Sequence, residues 1–125
     1  MRILLDTHIY LWWVKGDNKL SQAAKAIILN AADVYVSSAS IWEVCIKTKL
    51  GKLEANVDEL VEAIDGSGFS ELPITAKHAS EVYRLPHLHR DPFDRILISQ
   101  AISEPLRFLT ADETLQAYTD LVEII

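Results

Sequence analysis

The stretch RILLDTHIYLWWVKG, residues 2–16, decides the fold class of this chain. Residues 2–5 form a short apolar run that ends at Asp6, which is typical of a buried strand. Residues 9–16 then form the pattern of a short helix that ends at Gly16. A strand followed by a helix is the repeating unit of a parallel α/β sheet. The chain therefore begins as an α/β protein.

The same alternation continues to the end of the chain. Strand-like runs follow the first one at 34–37, 69–74, 106–110 and 121–125. Helical patterns separate them, at 22–32, 38–52, 56–68, 76–85, from Pro92 to 101, and 112–119. Strands joined by helices predict a three-layer α/β fold, with a parallel sheet between two layers of helices. In such a sheet, ligands bind outside the carboxyl ends of the strands.

Composition sets further limits. A chain of 125 residues of which half are hydrophobic predicts one domain over residues 1–125. The single cysteine, Cys45, cannot form an internal disulfide, and no signal peptide or membrane-spanning run is readable. We therefore expect a cytoplasmic protein without a membrane partner. The net charge of −6 argues against a general nucleic-acid binder, unless the acids are concentrated where bound cations cancel their charge.

Four acidic residues fall near the ends of predicted strands. Asp6 follows the first strand, Glu43 lies in the helix after the second, and Asp112 comes just after the fourth. Asp94 begins the helix that leads into the fourth strand. Carboxylates gathered there repel each other, by on the order of 4 kcal/mol per pair at 4 Å and an effective dielectric of about 20. A hard cation relieves this repulsion, so the pattern favours a Mg²⁺ or Mn²⁺ site that hydrolyses phosphodiesters.

Two of these acids have an alternative interpretation as parts of helix caps. Ser40 with Glu43 has the spacing of a capping box, and so does Thr110 with Glu113. Asp112 would then be a first-turn acid that favours the helix dipole. Capping alone would give these residues no chemical role.

The segment HRDPFDRILISQA, residues 89–101, allows both interpretations. Asp91 is a good N-cap, Pro92 suits the first helical position, and Asp94 would be a first-turn acid. Capping does not explain Asp6, because a carboxylate at the end of a central strand is costly to desolvate unless something pairs with it.

Four blocks of the sequence occur in an order and spacing that resembles a known family. They are LLDTH (4–8), SSASIWEVCIKTKLGKL (37–53), LPHLHRDPFDRILISQA (85–101) and LTADETL (109–115). The blocks resemble the PIN-domain ribonucleases, and among these the VapC-type toxins of bacterial toxin–antitoxin pairs. The resemblance implies five parallel strands in the order 3-2-1-4-5. It also implies a metal-dependent endoribonuclease that acts on RNA and has a cognate antitoxin protein as partner.

The resemblance also implies which residues form the site. Carried over block by block, the metal-binding acids of the family fall on Asp6, Glu43, Asp94 and Asp112, which are the predicted catalytic residues. Thr110 would lie near the metal, where its hydroxyl could hold a metal-bound water.

Basic residues around these acids are candidates for supporting roles. Arg90 and Arg95 could offset part of the repulsion between the acids. Lys47, Lys49 and Arg90 are candidates for holding the RNA backbone on either side of the scissile phosphate. A solvated charged face would explain the same lysines.

The helix at residues 9–14 is apolar around its whole circumference, so it is expected to be either buried in the core or covered by a partner. Trp12 and Trp13 point about 100° apart, which makes them hard to bury together. The resemblance suggests a second copy of the chain, in a homodimer, or an antitoxin peptide as the cover. We expect His8 to pack at the helix start and Cys45 to be a buried small hydrophobic residue.

The sequence lacks residues that two rival functions would require. A haloacid-dehalogenase-type phosphatase needs a second Asp two residues after its nucleophile, but Asp6 is followed by Thr7 and His8. No P-loop or G-x-G-x-x-G motif supports nucleotide binding. The rival from another class is a non-catalytic α/β binding module whose acids are all helix caps.

Overall fold

A five-stranded parallel sheet in the order β3-β2-β1-β4-β5 forms the centre of the molecule, in a computed structural model that describes residues 1–125. The strands are β1 (Arg2–Leu5), β2 (Asp33–Ser37), β3 (Ser70–Leu72), β4 (Arg107–Thr110) and β5 (Val122–Ile124). Both the predicted α/β class and the strand order are confirmed.

Six helices connect the strands. They are α1 (Thr7–Lys15), α2 (Gln22–Asn30), α3 (Ser38–Lys49), α4 (Val57–Gly66), α5 (Ala76–Glu81) and α6 (Pro92–Ser103). A 3-10 turn at Val82–Arg84 forms the end of the helix predicted at 76–85. The α-helix predicted at 112–119 is absent, and a 3-10 segment, Glu113–Ala117, takes its place. None of the helices is long and apolar enough to cross a lipid bilayer.

The central strand β1 contributes to two separate cores because successive side chains of a strand point to opposite faces. Ile3 and Leu5 pack in a cluster with residues of α1, α2, α3 and α4, whereas Leu4 packs with residues of α6 on the other face. All three side chains are completely buried. Burial on both faces explains why this segment is a continuous apolar run rather than an alternating one.

The register of β1 aligns the ends of three strands. Leu5 pairs with Val36 of β2 and with Leu109 of β4. The next residue, Asp6, continues this pairing, since its backbone N–H donates to the carbonyl oxygen of Leu109 at 2.9 Å. The carboxyl ends of β1, β2 and β4 therefore meet at one edge of the sheet, where the candidate site lies.

Both predicted capping boxes are wrong, because neither Ser40 nor Thr110 occupies an N-cap position. The N-cap of α3 is Ser37, whose side chain accepts a hydrogen bond from the backbone of Ala39, and Ser40 lies inside the helix. Thr110 is the last residue of β4, and Asp112 caps the turn that follows.

Two predictions of burial were also wrong. His8 is exposed at the start of α1, and Cys45 is exposed on α3. The helix of residues 9–14 is only partly in the core: Trp12 and Trp13 are half-buried.

Candidate active site

Asp6 is held in place by groups from two elements. Its carboxylate caps α1 by accepting a hydrogen bond from the Thr7 backbone at 2.7 Å, and it accepts a second from the Thr110 hydroxyl at 2.6 Å. The residue is only 7% exposed. Burial raises the pKa of Asp6, the two hydrogen bonds oppose this rise, and the negative charge of Glu43 adds to it.

Thr110 orients Asp6 across the sheet. Its hydroxyl donates to the Asp6 carboxylate and accepts a hydrogen bond from the Asp112 backbone at 3.1 Å. The single proton of the Thr110 hydroxyl is therefore donated to the Asp6 carboxylate. Thr110 thus lies beside the acids as predicted, and the second lone pair of its hydroxyl oxygen can still accept a hydrogen bond from a metal-bound water, so that role stays a prediction.

Glu43 lies in the second turn of α3, is 4% exposed, and forms an ion pair with Lys47 one turn later. The distance between Glu43 Oε2 and Lys47 Nζ is 2.5 Å. Burial alone would lower the pKa of Lys47, but the hydrogen bond to Glu43 and the charges of Glu43, Asp91 and Asp94 outweigh it and raise the pKa. Lys47 is thus the cation nearest to the carboxylates.

Asp91 and Asp94 have different roles although both begin α6. Asp91 caps the helix as predicted, accepting hydrogen bonds from the backbone of Phe93 and Asp94 at 2.8 and 3.3 Å. The Asp94 carboxylate has no hydrogen-bond donor of its own. Its burial, together with the charges of Asp6, Asp91, Glu43 and Asp112, raises the pKa of Asp94 to about 7.

Asp112 forms part of the same acidic site. Its carboxylate caps the 3-10 turn by accepting hydrogen bonds from the Thr114 backbone at 3.0 Å and the Thr114 hydroxyl at 2.6 Å. Together with Asp6 it lines a cleft of about 380 Å³ that opens beside the acids.

The four acids carried over from the sequence come from four separate elements and face one another at the predicted edge of the sheet. Each of Asp6, Glu43 and Asp112 adds its negative charge to the environment of Asp94. All donors are carboxylate oxygens, which suits a hard divalent cation. No group of three or more His, Cys, Asp or Glu is already arranged as a ligand set, so the donor chemistry fits such an ion but the side chains would have to move towards it.

The basic residues predicted around the acids are not all placed there. Arg95 is buried, and its guanidinium donates to the carbonyl oxygens of Pro86 and Val82 and to the Tyr118 hydroxyl rather than to the carboxylates. It anchors the loop before α6, so the expected offset of the acidic charge by Arg95 is not seen. Arg90 and Lys49 are exposed and form no ion pair.

Two features of the site were missed in the sequence. The Thr7 hydroxyl donates to the Ser40 hydroxyl at 2.9 Å, which ties the start of α1 to α3 behind the acids. The cleft is also lined by His8, Trp12 and Lys19. The spacing of four residues between His8 and Trp12, directly after Asp6, could have indicated a shared helix face beside the site.

The chain is similar to proteins of one family. A family model described as PIN domain matches residues 3–121. Ribonuclease VapC22 of Mycobacterium tuberculosis is 27% identical over 123 residues, which cover 93% of this chain and 91% of that protein.

Solved structures with the same fold include toxin–antitoxin complexes. A structure of VapBC2 from Rickettsia felis, bound to a DNA fragment from its promoter, matches 99% of this chain and 98% of that chain, with a TM-score of 0.71 and 16% identity. A toxin–antitoxin complex from Klebsiella pneumoniae matches 97% and 95%, with a TM-score of 0.68 and 20% identity. A DNA-bound VapBC from Salmonella typhimurium matches 100% and 97%, with a TM-score of 0.66 and 18% identity. At these identities the likeness establishes the fold alone.

Proposed function

Since this chain belongs to the PIN-domain family, we propose that it is a divalent-metal-dependent endoribonuclease and the toxin of a VapBC-type toxin–antitoxin pair. The observation that carries the proposal is the environment of Asp94. Three carboxylates from other elements and the neighbouring Asp91 surround an acid that has no hydrogen-bond donor. This surplus of negative charge suits a site that takes up cations.

The catalytic roles follow from the donors that are available. Mg²⁺ or Mn²⁺ held by Asp6, Glu43, Asp94 and Asp112 would supply a hydroxide from bound water and stabilise negative charge on the phosphate. Thr110 and the Thr7 backbone keep the Asp6 carboxylate in one orientation. Because the Asp6 carboxylate is already oriented, less entropy would be lost when metal and substrate are positioned for the reaction.

The rival function, a binding module whose acids are only caps, explains part of the site. Asp6, Asp91 and Asp112 do cap helical segments, so the expectation that capping leaves Asp6 unexplained was wrong: α1 begins at Thr7, and Asp6 is its N-cap. Asp94 caps nothing, and Glu43 belongs to no capping box. The two acids that capping leaves unexplained both lie in the acidic site, which supports the nuclease.

Partners of the proposed toxin are an RNA substrate, a cognate antitoxin and a second copy of the chain in a homodimer. Lys47, Lys49 and Arg90 are the proposed contacts to the RNA backbone. The structural relatives from three bacteria are described as toxin–antitoxin or VapBC complexes. Large exposed apolar side chains such as Trp42, Leu50 and Tyr83 provide surface for protein partners.

The first test is cleavage of a mixed RNA pool by the purified protein with Mg²⁺ or Mn²⁺, compared with EDTA and with Asp94→Asn. We expect cleavage to require the metal and to fall by about 100-fold or more in Asp94→Asn, because a metal ligand and its charge are lost. Asp58→Asn is the matched control, since Asp58 is also a first-turn acid, but of α4, and it is exposed. Equal cleavage by Asp94→Asn, or in EDTA, would contradict the proposal.

A further inference from the structure

The cleft beside the acids combines an aromatic ring with a cationic side chain. Its lining consists of Asp6, His8, Trp12, Lys19, Ala111 and Asp112. Two of these residues belong to the proposed catalytic site, and the other four have no part in it. We propose that this cleft binds a nucleobase of the RNA next to the scissile phosphate, with Trp12 as the stacking surface and Lys19 as a contact to the adjoining phosphate. The inference rests on the proposed function and adds a determinant of substrate binding to it.

Trp12 is built as a rigid surface. The half-buried side chain packs against the core cluster that includes residues of α1 and α2, and it also lines the cleft. His8 lies one helical turn earlier, with its ring centroid 6.3 Å from that of Trp12 and the two rings tilted by 35°. A ring fixed by core packing loses little conformational entropy when a base stacks on it, so its contribution to binding is retained.

Lys19 supplies the charge that a nucleotide requires. Its ammonium nitrogen lies 6.0 Å from the centroid of the Trp12 ring, and the side chain is exposed and forms no ion pair with an acid. Proteins that bind single-stranded RNA commonly combine an aromatic ring, on which a base stacks, with a cation that contacts the phosphate backbone. Lys19 lies on the side of Asp6 and Asp112, whereas Lys47 lies on the side of Glu43. The proposed RNA path thus has a cation on each side of the acids.

The composition of the cleft favours a nucleotide over a protein segment. Four of its six lining residues are charged or histidine. By contrast, the groove around Trp42 is lined by Ile74, Ala79, Val82 and other apolar side chains, as expected for a protein contact. Trp42 is 58% exposed, so the two tryptophans offer a matched pair on two chemically different surfaces.

The test measures RNA binding to the cleavage-deficient Asp94→Asn protein by fluorescence anisotropy, with labelled single-stranded oligoribonucleotides and Mg²⁺. We expect Trp12→Leu to raise the dissociation constant about tenfold and Trp12→Phe to raise it by about threefold or less, because phenylalanine keeps a stacking ring. Lys19→Met should reduce the slope of the logarithm of the dissociation constant against the logarithm of the salt concentration by about one. Trp42→Leu is the control, with an unchanged dissociation constant.

Tryptophan fluorescence gives a second measurement that does not depend on affinity. RNA should quench the tryptophan emission of the Asp94→Asn protein. The added substitution Trp12→Phe preserves the core contact and should remove most of this quenching. Trp13 and Trp42 still emit in that variant. Thermal unfolding of each variant checks that its fold is intact.

Each outcome has a distinct meaning. If the wild-type protein cuts RNA but Trp12→Leu binds it normally, or if Trp42→Leu loses as much affinity, the inference is wrong and the nuclease remains. If Trp12→Leu keeps RNA affinity and loses self-association or antitoxin binding, the cleft is a protein contact, which also overturns the inference. If the wild-type protein neither binds nor cuts RNA, the proposed function fails together with the inference.

Discussion

Two clusters of buried polar groups, one around His78 and one around Asp94, contain similar chemistry but differ in how their charges are paired. His78 is buried between α5 and α6, and its Nδ1 accepts a hydrogen bond from the Thr75 backbone at 3.0 Å. Its Nε2 lies 2.5 Å from the carboxylate of Glu104. In the second cluster, Lys47 is ion-paired with one of five carboxylates, that of Glu43, and the Asp94 carboxylate has no donor.

The difference indicates what each cluster is for. A buried polar network whose members pair with one another holds elements together and stabilises the fold. A network with an excess of charge of one sign destabilises the folded protein until a ligand of opposite charge binds. The presence of such a network therefore indicates a ligand-binding site. The two clusters should therefore respond to substitution with opposite signs.

The largest expected effect is on the free energy of unfolding of the metal-free protein. His78→Ala should lower it by about 3 kcal/mol, because the buried ring is lost and the Thr75 N–H and the Glu104 carboxylate lose a partner. Asp94→Asn should raise it, since one of the repelling charges is removed. Denaturant unfolding in EDTA measures both.

His87→Ala is the control for the histidine substitution, because His87 is exposed in the loop before α6 and should change stability by less than about 0.5 kcal/mol. A loss of stability in Asp94→Asn comparable to that in His78→Ala would show that both clusters are structural.

A smaller effect is expected in the pH dependence of stability. The pKa of Asp94 is raised to about 7 in the folded protein, from the ordinary value of 3.8 for an aspartate carboxyl group. Between these values the folded state binds more protons than the unfolded state, so the free energy of unfolding should fall as the pH rises from about 4 to about 7. After allowance for the part of the carboxylate that is open to solvent, we expect a fall of about 1–2 kcal/mol.

Denaturant unfolding in EDTA at a series of pH values measures this slope. The slope should flatten in Asp94→Asn, and it should also flatten with saturating Mg²⁺, which favours the ionised carboxylates. If Asp94→Asn leaves the slope of the unfolding free energy against pH unchanged, another group is responsible for the pH dependence. The contrast between the two clusters would then be weaker.

The sequence predicted the elements of the fold better than the directions of its side chains. The alternation of strands and helices was sufficient for the class. The positions of Asp6, Glu43 and Asp112 after strands predicted one shared edge of the sheet, and Asp94 was expected there because its helix leads back into β4. The strand order came from the resemblance, because local patterns carry no information about which strands are neighbours.

The errors have local physical causes. Cap positions depend on the exact first residue of a helix, which the sequence pattern does not define, so the caps are Ser37 and Asp112 rather than Ser40 and Thr110. The direction of a long side chain depends on tertiary partners, which is why Arg95 could not be assigned to the backbone carbonyls of Pro86 and Val82 in advance. Cys45 was misplaced because α3 carries apolar residues on both its inner and outer faces, so its pattern does not define one buried side.

The smallest expected effect concerns Lys47, the cation that forms an ion pair in the Asp94 cluster. Lys47→Met keeps most of the aliphatic chain but leaves the buried Glu43 carboxylate without its counter-charge. We expect the free energy of unfolding in EDTA to fall by about 1 kcal/mol, a value reduced because the Lys47 side chain is 32% exposed. The stabilisation by Mg²⁺ should increase, because the ion no longer competes with an ammonium group for Glu43.

Lys49→Met is the matched control, because it removes the same charge from the same helix at an exposed position without an ion pair. A smaller loss in EDTA and an unchanged Mg²⁺ response in Lys49→Met would show that proximity to the acids matters rather than net charge. Equal effects of the two substitutions would mean that Lys47 is part of a solvated basic face. The acidic cluster would then carry its excess charge without an internal cation, and the contrast with the paired His78 cluster would be sharper still.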